Sequence, residues 1–232
     1  SQGWSGVRTW AAAEQSDWTM PQRAMIADDH ELFRSGLKQL LHDLLSIEDV
    51  REAETLDQAI EILTNEGAGD LVLVDLNMPG MSGPEALAAL RDGFPDAKVA
   101  VVSAWDGRAE IIAALSAGVH GYIPKSMSSN EIASAIRSIL DGQIFVPPAL
   151  GKREATETPR MPQLAEANGG EKLTIRQKEV LGELLKGRAS KEIARALSIA
   201  EGTVKIHLAA IYRALGVRTR AEAIAKLKSA PN

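Results

Sequence analysis

The 232-residue sequence contains no cysteine, which excludes disulfide staples, thiolate metal sites and thiol nucleophiles and agrees with a reducing cytoplasm. Aromatic residues make up only 4%, and three of the four tryptophans, Trp4, Trp10 and Trp18, fall within the first 19 residues. No run approaches 18 consecutive apolar residues, so nothing reads as a membrane span, and residues 1–19 lack the apolar block of a signal peptide. They are set aside as an N-terminal tail or expression remnant.

Charge of both signs is present, but unevenly. The net charge of -5 hides an acidic part, residues 21–148 with 9 Lys+Arg against 20 Asp+Glu, and a basic part, residues 149–232 with 16 against 9. This asymmetry fits one domain that handles cations and another that meets a polyanion such as DNA. Two solvated surfaces of opposite sign would give the same counts, so charge alone does not decide.

The acidic part alternates between two periods. Short apolar runs at 24–27, 50–53, 71–74, 99–102 and 119–123 read as strands, and helical stripes at 31–45, 56–65, 84–91, 108–117 and 129–140 follow them in turn. Thr55-Leu56-Asp57-Gln58 is a capping box for the second helix. Five βα repeats predict a doubly wound α/β domain over residues 20–143, with its ligand site beyond the carboxyl ends of parallel strands. At those ends stand Asp28 and Asp29, Asp75, Ser103 and Lys125. Three carboxylates gathered without a cation are costly, and oxygen donors without Cys or His suit Mg²⁺ or Mn²⁺.

Prolines and Gly169-Gly170 mark residues 144–170 as a linker. Residues 171–232 read as a small all-α helix-turn-helix domain. A helix opens at the capping box Thr174-Ile175-Arg176-Gln177, a short one capped by Ser190 runs to Leu197, and a turn at Ser198-Ile199-Ala200 leads into a helix over 201–215. The last of these presents Lys205, His207 and Arg213 outward and Val204, Leu208, Ile211 and Leu215 to a core. A final helix opens at Thr219-Arg220-Ala221-Glu222.

Residues 23–143 resemble the receiver domains of two-component response regulators, on Asp28-Asp29, the run Asp75-Leu76-Asn77-Met78-Pro79-Gly80, Ser103-Ala104 and Gly121-Tyr122-Ile123-Pro124-Lys125. The resemblance implies that Asp75 accepts a phosphoryl group from a sensor histidine kinase. It further implies that Asp29, Asp75 and the carbonyl of Asn77 ligate Mg²⁺, with Asp28 holding metal-bound water, and that Ser103 and Tyr122 form a switch in which Tyr122 swings toward the core. The family often places Pro after the lysine; here Pro124 precedes Lys125.

Residues 172–228 resemble the LuxR-type helix-turn-helix of NarL/FixJ response regulators, on Leu173-Thr174, Val180-Leu181, Lys191-Glu192-Ile193-Ala194, Gly202-Thr203-Val204-Lys205-Ile206-His207 and Leu215-Gly216-Val217. Carried over, Lys205 and Ile206 approach base edges and Lys191, Thr203 and His207 the DNA backbone, chemistry suited to guanine acceptors and thymine methyls. Ala209 stands where a longer polar residue is usual. The implied protein is a cytoplasmic, phosphorylation-dependent regulator of double-stranded promoter DNA, homodimeric when phosphorylated and not an enzyme. Two alternatives stay open: a phosphatase working through phospho-aspartate, for which Asn77 stands where a second acid is usual, and a receiver that works without phosphorylation.

Overall fold

A computed structural model describes residues 23–148, 150 and 173–229, so the expected tail at 1–19 and most of the expected linker at 144–170 lie outside the described residues. The elements are β1 (Arg23–Ala27), α1 (Glu31–Leu45), β2 (Asp49–Ala53), α2 (Leu56–Glu66), β3 (Leu71–Val74), α3 (Gly83–Gly93), β4 (Lys98–Ser103), α4 (Arg108–Ser116), β5 (Gly121–Pro124), α5 (Ser129–Leu140), α6 (Ile175–Leu185), α7 (Ser190–Leu197), α8 (Glu201–Ala214) and α9 (Arg220–Ser229).

The five strands pair in parallel in the order β2-β1-β3-β4-β5. Each central strand is apolar on both faces because helices cover both. On one side Val72, Val74, Val101 and Tyr122 pack with Leu56, Leu63, Leu87, Leu90 and Ile111 from α2, α3 and α4. On the other, Ile26, Leu73, Val102 and Ile123 pack with Leu37, Leu41, Ile132, Ile136 and Ile139 from α1 and α5. The strand order reverses between β1 and β3, which brings Asp28 and Asp75 to neighbouring strand ends.

Local chemistry sets the helix limits. Ser128 and Glu131 form a reciprocal capping box at α5, as Thr174 and Gln177 do at α6. Ser46 closes α1 in the left-handed region at φ 55. Two expectations need correction. The residue that precedes α7 is Ala189, whose N–H donates to Glu192 Oε2 at 2.8 Å, so Ser190 is the first helical residue and not its cap. The fifth strand begins at Gly121 rather than 119, because Gly118 at φ +84 turns the chain before pairing with β4 resumes.

In the C-terminal unit Val180 and Leu184 of α6, Ile193 of α7, and Val204, Leu208 and Ile211 of α8 form a separate apolar core. Ser198, left-handed at φ 55, makes the turn between α7 and α8. Among the described residues no helix is long and apolar enough to cross a membrane.

Ile136 is fully buried between α5 and the sheet. Ile136→Ala is expected to lower the unfolding free energy by about 2 to 5 kcal/mol in chemical denaturation. A loss within error of zero would contradict this account of the core.

Candidate phosphoacceptor site and DNA-reading helix

The parallel ladder continues one residue past β1 and β3: Asp28 N–H donates to Ala53 O at 2.9 Å and Asp75 N–H to Ala27 O at 2.8 Å. The two carboxylates thus lie side by side, with Asp28 2% and Asp75 1% exposed. Two buried like charges repel and lose hydration, so both need a cation. Lys125 supplies one: its Nζ stands 2.6 Å from Asp28 Oδ2 and 2.9 Å from Asp75 Oδ2. The same ammonium lies 4.7 Å from the centre of the Phe33 ring, and Lys125 N–H donates to Ser103 O at 2.8 Å. Pro124 before Lys125 therefore does not divert the side chain, and the described peptide bonds are all trans.

Asp29 is more open. Together with Asp28, Asp75 and His30 it forms a group whose ligand atoms all lie within 4.8 Å of one another. The donors were expected from sequence to be oxygens without His; the structure corrects this, because the imidazole of His30, which directly follows the acidic pair, joins the group. Its Nδ1 lies 2.9 Å from Asp29 Oδ1 and 3.2 Å from Asp28 Oδ1. Asn77 is exposed and donates its N–H to Asp75 Oδ1 at 3.2 Å. Three carboxylates against one ammonium leave a surplus of hard, negative oxygen donors, a set that fits a small divalent cation.

Ser103 is buried, and its Oγ accepts from Trp105 N–H at 3.2 Å. Tyr122 is fully buried and its hydroxyl donates to Trp105 O at 2.8 Å. Burial pushes the Tyr122 phenol up, while a hydrogen bond with Ser103 pulls the other way. Tyr122 was expected to swing toward the core; its ring is already inside, because the Trp105 carbonyl satisfies its hydroxyl there.

The larger correction concerns α8. Its polar face was expected to look outward, yet α8 rests on α2 and α3 of the receiver. Ile206 and Ala209 join the receiver's apolar cluster, and Thr203 and His207 are 1% and 4% exposed. A helical stripe distinguishes a core side from the opposite side, but does not say whether water or another domain covers the latter. Lys205 Nζ donates to both carboxylate oxygens of Asp57 at 2.8 Å. Arg213 pairs with Asp96 at 2.7 Å, donates to Gly93 O at 3.3 Å and lies 5.4 Å from the centre of the Phe94 ring. Lys191 is exposed on α7.

The approach is close because the contact residues are small. A Cβ at Gly202 would lie 2.3 Å from Gly80 O, and one at Gly93 would lie 2.8 Å from Ala210 Cβ. Ala209 fits this seat where a long polar side chain would not. Docking also has a cost: Thr203 Oγ1 and His207 Nδ1 are buried without a hydrogen-bond partner, a penalty of about 1 to 3 kcal/mol each. Gly202, Asp57, Asp96 and Phe94 were not legible as interface residues, since nothing local distinguishes them from surface residues of their own domains.

Comparison with known proteins agrees with the two units. Residues 24–137 match the family described as the response regulator receiver domain, and residues 171–227 match the bacterial regulatory proteins of the luxR family. The chain belongs to the NarL/FixJ family of response regulators, phosphorylation-dependent transcription regulators that join a receiver to a LuxR-type DNA-binding domain. It is 37% identical to the Glycerol metabolism activator of Pseudomonas putida over 210 residues, 87% of this chain and 93% of that one. It is 32% identical to the nitrate/nitrite response regulator protein NarL of Escherichia coli (strain K12) over 88% of this chain and 93% of that one. Among solved structures, a LuxR-family two-component response regulator from Aurantimonas sp. SI85-9A1 is similar at 30% identity and TM-score 0.52, covering 56% of this chain and 93% of that one.

Gly202→Ala places a methyl group against a backbone carbonyl that has no rotamer to yield, while Ala favours the helix. This substitution is expected to enlarge the radius of gyration in solution scattering while helical content holds; an unchanged radius would refute the docked contact.

Burial holds the His207 imidazole below its ordinary pKa, Arg176 acts in the same direction, and Asp92 opposes them. The docked state thus favours the neutral ring. Docking is at full strength above the ordinary histidine pKa of about 6.5 and weakens as pH falls through it toward the depressed value. Scattering between about pH 7.5 and 5.5 should show progressive opening. In His207→Leu that dependence should flatten, and an unchanged profile would reject the assignment.

Proposed function

We propose that Asp75 accepts a phosphoryl group from a sensor histidine kinase and that this charge change frees α8 to bind double-stranded promoter DNA. The observation that carries the proposal is the convergence of Asp28, Asp29 and Asp75 at the carboxyl edge of the sheet, with Lys125 paired to Asp28 and Asp75. Asp28, Asp29, Asp75 and the carbonyl of Asn77 would hold Mg²⁺, or Mn²⁺. A cation bound there offsets the mutual repulsion of a carboxylate nucleophile and a phosphate.

The chain's own residues then divide the work. Asp75 supplies the attacking oxygen. Lys125, freed from part of its present pairing, grips a phosphoryl oxygen, and Ser103 presents its hydroxyl to another. Tyr122 packs beside Ser103 and holds the β4–α4 loop through the Trp105 carbonyl. On DNA, Lys205 and Ile206 meet base edges while Lys191, Thr203 and His207 meet the backbone.

In the docked arrangement Asp57 and Asp96 stand in for DNA phosphates, occupying Lys205 and Arg213. DNA binding therefore requires release, and a phosphorylated homodimer on paired half-sites is the form we assign to the active protein. The domains run over residues 20–143 and 171–232, with 144–170 as the linker and 1–19 as a tail. The protein works in the cytoplasm as a switch and not as an enzyme: Asn77, two residues beyond Asp75, offers no second acid for turnover.

Acetyl phosphate with Mg²⁺ is expected to add one phosphoryl group to the chain by intact mass, and none to Asp75→Asn. Equal uptake by both proteins would overturn the assignment.

A further inference from the structure

Arg34 is 6% exposed, a rare place for a guanidinium. Its side-chain bonds lead away from α1. Nη1 donates to Asp28 O at 2.7 Å and Nη2 to Glu54 Oε1 at 2.7 Å. Nε faces Glu52 Oε2 at 3.6 Å and has no hydrogen-bond partner. A buried ion left partly unsatisfied is a poor way to stabilise a fold, and an apolar side chain of similar volume would serve that end as well. What the fork does provide is a rigid link between two places.

One end is the acidic crevice. The Asp28 carbonyl belongs to the peptide that joins Asp28 to Asp29, so this bond sets the plane from which both carboxylates spring. The other end is the corner between β2 and α2. Glu54 directly precedes Thr55, the N-cap of α2, and its N–H is held by Gln58 Oε1 at 2.8 Å. The first turn of α2 is where α8 sits. Leu56 N–H donates to Pro79 O at 3.0 Å, Leu56 would crowd a Cβ at either Gly80 or Gly202, and Asp57 takes Lys205. Ser103 and Tyr122, by contrast, belong to β4 and β5, while α8 rests on α2 and α3.

We propose that Arg34 is a positioning residue that couples the Asp28–Asp29 peptide, through Glu54, to the α2 turn supporting the recognition helix. Occupation of the crevice by a cation and a phosphoryl group shifts this strut and loosens the seat under Gly202 and Lys205. The inference rests on the phosphoacceptor reading above.

The absence of native cysteine makes the test direct. Ser134→Cys on α5 and Arg195→Cys on α7, both exposed, carry spin labels on the full chain, and electron double resonance reads the docked and separated populations. Mg²⁺ with beryllofluoride serves as the phosphoryl mimic, its binding followed by ¹⁹F NMR. In the otherwise unaltered chain, saturation with the mimic is expected to shift the populations toward separation. Arg34→Met should weaken Mg²⁺-beryllofluoride affinity about tenfold and, at saturation, remove most of that shift. Arg34→Lys should behave like Arg34→Met, because one ammonium keeps the charge but cannot span both partners. Glu54→Ala, which removes the acceptor at the exposed end, should bind the mimic normally yet lose the shift, and it decides the matter should Arg34→Met fail to fold.

A full shift in Glu54→Ala or Arg34→Met with the mimic bound overturns the coupling. So does binding of the mimic to the unaltered chain without separation, which leaves the phosphoacceptor reading intact. Failure of the unaltered chain to bind the mimic at all would instead sink that reading.

Discussion

The arrangement depends first on the ammonium of Lys125 lying between the carboxylates of Asp28 and Asp75. Two acids this deeply buried lose hydration and repel each other, and the ammonium between them offsets both costs. The lysine makes the pair tolerable and also leaves it incomplete, since Asp29 adds a third carboxylate to the group, met at 2.9 Å by the imidazole of His30. Such a crevice is set to gain from a further cation, and an incoming phosphoryl group would compete with the acids for the same lysine. The site's stability and its responsiveness therefore share one cause.

The same electrostatic economy recurs at the domain contact. The receiver is acidic and the DNA-binding unit basic, and their docking brings Asp57 to Lys205 and Asp96 to Arg213. These pairs are at least partly exposed and worth little individually. The apolar contribution comes from Ile206 and Ala209, and it is offset by two buried polar atoms, on Thr203 and His207, with no partner. A surface built to meet DNA makes an imperfect interface with protein. That imperfection lowers the stability of the docked state.

Much of this was legible in the chain. Alternating periods of two and 3.6 located the five strands and the helices after them, with α1, β3 and α5 matching their expected limits, because buried strands and amphipathic helices must show those patterns. The acidic pair, Asp75, Ser103 and Lys125 were each found at the end of a strand, since a parallel sheet gathers its carboxyl ends on one edge. The misreadings were of two kinds. Ser190 was taken for a cap on its residue type, whereas the chain enters α7 one residue earlier. His207 was placed on an exposed face because sequence periodicity carries no information on what lies opposite a helix.

The sequence by itself determined the two domains, the sheet and the identity of the acidic crevice, because these follow from local periodicity and from the direction of parallel strands. Only the tertiary structure decided that Lys125 bridges Asp28 and Asp75, that Arg34 links the crevice to the α2 corner, and that α8 lies covered by α2 and α3. Those contacts join residues from 6 to 148 positions apart and depend on how finished elements meet. No local pattern records that meeting, since the same side chains would be chosen for a surface that faces water, DNA or another domain.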